Sequence, residues 1–151
     1  MKTIKIITLA LIFLVNFQLK AQEVSDKQKI EEVCLNYLEG FYEGDATKIE
    51  KSVKPSLYKY GYWKNSETGK YAGEGHMTFQ QAVDYSKRVL ENKSFAKEDA
   101  PKLVEVLDVM NHIAVAKVTA WWGYDYLLLS RTEDSWIIEQ ALWEGPLQKE
   151  D

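Results

Sequence analysis

Asp125 is the residue of this chain best suited to acid–base chemistry. It opens the segment DYLLLSR, which follows IAVAKVTAWW and precedes WIIEQALW. With Gly123-Tyr124 as a two-residue loop, Trp122 faces Asp125, Ala120 faces Leu127 and Val118 faces Leu129. With Thr132 to Ser135 as the next turn, Leu129 faces Ile138, Leu127 faces Gln140 and Asp125 faces Leu142. Asp125 and Gln140 then point inward among Trp122, Leu127 and Leu142, and a carboxylate partly stripped of water is a candidate base. A one-residue slip would reverse every face. The plainer role for Asp125 is to cap the Gly123 turn through backbone amides.

Other groups offer weaker chemistry. Tyr58, Tyr60 and Tyr62 share one face if LYKYGYW is a strand, and phenols there could hold a flat apolar ligand or donate to an oxyanion. The alternative is aromatic packing under the first helix. Glu74 and His76, two apart, could face one way as a general-base pair, or His76 could be a half-exposed loop residue. Two such residues fall short of the three or four ligands a metal needs, and no cofactor is expected. His112 sits in a turn and is given no role. Cys34 lies on the apolar stripe of a helix, where a lone thiol usually packs as a small apolar group.

The elements that must position these residues can be read from periodicity. Leu, Ile, Val, Trp and Tyr dominate from Lys102 to Trp143, with turn residues at Asn111-His112, Gly123 and Thr132 to Ser135, so this stretch reads as strands. Ala114, Ala116, Val118, Ala120 and Trp122 alternate onto one face, where small side chains admit a helix. Lys117, Thr119 and Trp121 take the other, opposite Tyr126 and Glu139, and this mixed aromatic and polar face suits a contact with a second copy of the chain.

Upstream, Ser25 to Gln28 forms a capping box. Ile30, Val33, Cys34, Tyr37, Leu38, Phe41 and Tyr42 follow at helical spacing, which places Tyr37 on the inward stripe beside the expected pocket. Gly44 suits the residue past that helix, and Asp45 caps a short second helix with Ile49 and Val53 inward. That helix stops before Pro55. Leu57–Trp63 and Lys70–His76 form a hairpin, and Thr78 to Gln81 caps a third helix reaching about Asn92. Its inner stripe is Phe79, Ala82, Val83, Ser86, Val89 and Leu90. The class is therefore α+β, with about three N-terminal helices packed on a curved antiparallel sheet around a central, cone-shaped pocket.

The chain has 151 residues, enough for one domain. Residues 1–21 read as a secretory signal peptide, because Lys2 and Lys5 precede an apolar run from Ile6 to Val15 and Ala21 precedes Gln22. The run is too short for a stable membrane anchor. The domain is then 22–151, exported to a periplasmic or extracellular setting. Of 19 basic residues, Lys2, Lys5 and Lys20 leave with the leader, so 16 face 23 acidic ones, a net charge of −7. An acidic chain without a basic patch argues against nucleic acid as a partner.

This order of elements resembles the nuclear transport factor 2-like superfamily, the cystatin-like cone fold. The resemblance is carried by YLEGFYEGDATKIEKSVKPSL and by VMNHIAVAKVTAWWGYDYLLLSRTEDSWIIEQALW. Asp125-Tyr126-Leu127, then a polar turn and Trp136-Ile137-Ile138, are similar to its small exported lumazine-binding-like branch. The turn Glu133-Asp134-Ser135 departs from that branch's usual Asp-Gly. The resemblance implies the fold and a homodimer. It embraces both ligand binders and ketosteroid isomerase-like or dehydratase-like enzymes, in which pocket carboxylates move protons and a tyrosine stabilises an enolate. Three readings follow: a binder of a small, mostly apolar or aromatic molecule, with Tyr37, Tyr58, Tyr60, Tyr62, His76, Trp122, Asp125 and Gln140 around it; an acid–base enzyme using Asp125 with Tyr60 or a neighbouring tyrosine; or an interaction module whose pocket is filled by its own side chains.

Overall fold

A computed structural model describes residues 26–133 and 135–147. The expected signal peptide and the Ser25 end of the first capping box lie outside these residues. Three helices, α1 (26–43), α2 (Ala46–Ser52) and α3 (Phe79–Asn92), pack with a six-stranded sheet. Its strands are β1 (Val53–Lys64), β2 (Tyr71–Met77), β3 (Leu103–Val109), β4 (Ile113–Ala120), β5 (Gly123–Thr132) and β6 (Ser135–Gly145). They lie in the order β2-β1-β6-β5-β4-β3 in an open, curved sheet. The sheet is mixed rather than wholly antiparallel, because β1 runs parallel to β6 while every other pair is antiparallel. Among the described residues no helix is long and apolar enough to cross a membrane.

The caps stand where turn and cap chemistry put them. Asp45 accepts from the amides of Thr47 and Lys48 at 2.9 and 3.4 Å and starts α2. Thr78 and Gln81 close a reciprocal capping box on α3. Gly44 has φ +71°, the left-handed geometry that ends α1. Val53, expected on α2, instead opens β1, and its buried side chain joins the core from the strand.

The stripe of α1 meets the alanine face of β4. Ile30, Cys34, Tyr37, Leu38, Phe41 and Tyr42 are buried in one cluster with Ala114, Ala116, Val118 and Ala120. α3 adds Ala82 and Val83, while Leu90 at the end of its expected stripe is exposed. β5 contributes Leu127 and Leu129, and β6 contributes Trp136, Ile138 and Ala141.

Two registers differ from the sequence expectation, each for a physical reason. The β4–β5 turn is Trp121-Trp122, with Ala120 opposite Gly123 and Val118 opposite Asp125. Gly123 is needed by its neighbour across the sheet: a Cβ there would sit 1.9 Å from the Glu144 carbonyl oxygen, and its φ is +141°. The turn moves by two residues and the pairing by four, an even number, so Asp125 keeps the inward face. Between β5 and β6 a bulge adds one residue around Glu139. Beyond it the faces exchange, so Ala141 and Trp143 oppose Leu127 and Asp125, while Gln140 and Leu142 turn outward and are exposed.

Candidate functional site

The centre of the site is a buried polar group under the sheet's concave face. Asp125 is fully buried on β5. Its Oδ1 accepts from the Trp122 indole N–H at 2.7 Å, and its Oδ2 accepts from the Tyr37 hydroxyl and, at 2.8 Å, from the Lys59 ammonium. Lys59 also donates to the Tyr37 oxygen at 2.7 Å. Every expensive buried group here has a partner, which is the condition under which a buried ion pair is tolerated. Asp125 is thus neither an open base nor a turn cap, because side chains from α1, β1 and the β4–β5 turn hold its carboxylate. Burial first, and then the Asp125 charge, push the Tyr37 phenol well above its ordinary pKa, so it stays a protonated donor.

Lys59 reaches this position because β1 alternates. Leu57, Lys59 and Gly61 face inward and are buried. Lys59 stands opposite Ala141, whose small side chain leaves room for the lysine to cross β6 toward Asp125. Gly61 stands opposite Trp143, whose indole lies against its Cα; a Cβ there would meet ring atoms at 2.4 Å.

Beside this polar group is a cavity of about 310 Å³, with Lys59 in its lining. Its walls are Phe41 of α1, Tyr85 of α3, Lys59 and Trp63 of β1, Glu74, Gly75 and Met77 of β2, Trp121 and Trp122 of the turn, and Trp143 of β6. The aromatics brace one another edge to face: Phe41 packs on Trp122 at 5.8 Å and on Tyr85 at 5.7 Å between ring centres. Tyr42 ties the turn to α1, since its hydroxyl accepts from the Trp121 amide at 2.9 Å and donates to the Pro101 carbonyl. The Lys59 nitrogen lies 5.4–5.7 Å from the centres of the Tyr37, Trp122 and Trp143 rings, within cation–π range.

Tyr37, Trp122 and Asp125 therefore come together as expected, but the other proposed site residues do not join them. Tyr58, Tyr60 and Tyr62 do share a face, and it is the outer one. Tyr58 and Tyr62 are exposed there, and Tyr60 packs edge-on against Tyr62 at 5.4 Å. A tyrosine on that side cannot serve an oxyanion beside Asp125. His76 stacks on Tyr58 at 4.4 Å, also outside. Its expected pairing with Glu74 is broken by an extra residue in β2 between Glu74 and Met77, which turns Glu74 into the cavity and His76 away. Gln140 is outside because of the β6 bulge. Trp121, expected on the outer sheet face, stands in the turn and lines the cavity.

Sequence reasoning missed Lys59, Trp63, Met77 and Trp143 as cavity residues, and singled out Glu74 only as a partner of His76. The signal for Lys59 was present. In LYKYGYW the face opposite the tyrosines reads Leu-Lys-Gly-Trp, a small-and-apolar row with one cation. Among the described residues no group of three or more His, Cys, Asp or Glu could hold a metal ion.

Comparison with known proteins places the fold. A solved NTF2-like protein of unknown function from Shewanella baltica matches with a TM-score of 0.61 at 18% identity, over 80% of this chain and 93% of that one. One from Silicibacter pomeroyi matches at 0.60 and 16%, over 82% and 96%. An NTF2-like protein with a cystatin-like fold from Novosphingobium aromaticivorans matches at 0.56 and 14%, over 87% and 88%. At these identities the likeness is one of fold. No curated protein matches the chain in sequence. The family model described as "Putative lumazine-binding" matches residues 25–144. With its cone of three helices on a mixed sheet, the chain belongs to that family and to the NTF2-like, cystatin-like fold.

Proposed function

We propose that this protein binds a small, mostly apolar or aromatic molecule in the cavity beside Lys59 and does not transform it. One observation carries the reading: a cavity of about 310 Å³, walled largely by aromatic side chains, has a single buried lysine in its lining. Ligand sites have this composition, apolar walls with few placed polar groups. The family description points to the same kind of ligand. An open cavity speaks against a module that fills its own pocket. The acid–base alternative is weaker, because both Asp125 oxygens are engaged and Lys59 stands between them and the cavity.

The reading extends to an exported homodimer. Export rests on the basic and apolar leader pattern of residues 1–21. The dimer rests on the outer sheet face, where Tyr126 pairs with Leu142 and both are about half exposed, with Tyr58 and Leu128 beside them. Lys117 and Glu139 border this face, engaged with Glu105 and Lys54 respectively, and Thr119 lies beside Tyr124.

A thermal-shift screen of the mature protein with aromatic and pterin-like compounds tests the binding reading. It expects stabilisation that grows with ligand concentration. Absence of stabilisation by every aromatic compound overturns it. Sedimentation of the same preparation tests the dimer, and a monomer at all concentrations overturns that part.

A further inference from the structure

Resting on the binding reading, we infer that the cavity selects an uncharged carbonyl acceptor at its Lys59 end and discriminates against a carboxylate there. Lysine carries three N–H donors. Two are engaged, by the Tyr37 oxygen at 2.7 Å and Asp125 Oδ2 at 2.8 Å. One remains for a ligand, on a side chain only 8% exposed that lines the cavity. Trp122 and Trp143 line the same cavity, with ring centres 5.7 and 5.5 Å from the ammonium, so a flat molecule held against them lies within reach of this N–H.

Charge decides which acceptor fits. Asp125, behind the ammonium and outside the cavity lining, already neutralises it. A carboxylate entering the cavity would lose its hydration and share one cation with the negative charge of Asp125. A ketone or lactam oxygen meets the positive end of the Lys59–Asp125 dipole without that repulsion. The cavity's second ionisable wall residue, Glu74, is also acidic and further disfavours an anion. Among the described residues no cation pairs with Glu74.

Isothermal titration of the mature protein with 2-acetylnaphthalene, 2-ethylnaphthalene and 2-naphthoate separates the possibilities. The wild type is expected to bind the ketone at least about ten-fold more tightly than either analogue. Asp125→Asn, which removes the countercharge but keeps the shape, is expected to reverse the order of ketone and carboxylate. Should that variant fail to fold, the quadruple variant Tyr37→Phe/Lys59→Met/Trp122→Phe/Asp125→Leu replaces all four members of the polar group with apolar side chains. It is expected to bind the ketone and the ethyl analogue equally. If the wild type binds all three alike, or prefers the carboxylate, this inference is overturned and the binding reading stands. If it binds none of the three while the thermal-shift screen also finds no aromatic ligand, the binding reading itself falls.

Discussion

The Lys59 ammonium lies 2.8 Å from Asp125 Oδ2, on a side chain that reaches from β1 past Ala141 of the intervening β6. This pair links β1 to β5, two strands that are not neighbours. It also sets the polarity of the cavity base.

The pair should be costly to break and cheap to remove. Lys59→Met leaves Asp125 buried without its countercharge and should lower the unfolding free energy by roughly 3–5 kcal/mol. The triple apolar variant Tyr37→Phe/Lys59→Met/Asp125→Leu should lose much less, because no unpaired charge remains. Urea unfolding of the two, monitored by tryptophan fluorescence, checks the order. A triple variant less stable than Lys59→Met contradicts it.

Alkaline pH should weaken the fold in two stages. Burial raises the Cys34 thiol from 9.0 to about 12. Its folded pKa exceeds the unfolded one, so stability is full below pH 9 and falls as pH rises from there toward 12. The slope is at most about 1.4 kcal/mol per pH unit. Tyr37, raised above 10.0, adds to the decline only beyond pH 10. Cys34→Ala should therefore flatten the profile between pH 9 and 10 while leaving the later fall. Unfolding free energies measured across this range, with an unchanged slope in the variant, would refute the assignment.

The alanine face of β4 should resist enlargement. Ala116 and Ala120 are fully buried in the cluster that contains Tyr37 and Phe41. Leucine at either position should destabilise by about 1–3 kcal/mol through overpacking. Thermal unfolding of Ala116→Leu and Ala120→Leu with midpoints matching the wild type would contradict the packing.

Gly61 should matter to the cavity as well as to the strand. A Cβ there meets the Trp143 ring at 2.4 Å, against the indole body and not a flexible tip. Gly61→Ala should displace Trp143, destabilise the protein by about 1–3 kcal/mol and weaken binding of any aromatic ligand. Calorimetry on the variant checks both effects together. Wild-type affinity in Gly61→Ala would show that the Trp143 wall is dispensable.

The fold was legible because its signals are periodic and local. The stripe from Ile30 to Tyr42, the Thr78 box and the alternation of β4 each fix an element without reference to the rest. The inward placement of Asp125 survived a wrong turn, because a register error of four residues, like any even one, preserves the face. What the sequence hid were one-residue insertions. The bulge near Glu139 moved Gln140 outward and Trp143 inward, and the one in β2 separated Glu74 from His76. The β6 segment carries no glycine or proline mark; Gly75 does stand within the β2 insertion, but as one of two glycines in that strand it reads equally as a weak hairpin. The tyrosines of LYKYGYW drew attention to the wrong face, since aromatic side chains are as much at home on an exposed sheet surface as in a pocket. Lys59 was overlooked because a buried lysine is rare unless paired, and its partner lies 66 residues away.

The indole N–H signals of the five tryptophans offer the most direct test of the cavity as the ligand site. Trp63, Trp121, Trp122 and Trp143 line it, whereas Trp136 is buried elsewhere, with its indole nitrogen 3.5 Å from Asp26. In a nitrogen–proton correlation titration with 2-acetylnaphthalene, the account predicts that the four lining signals shift together and saturate while Trp136 stays fixed. Lining signals that do not move, or a shift confined to Trp136, would contradict it.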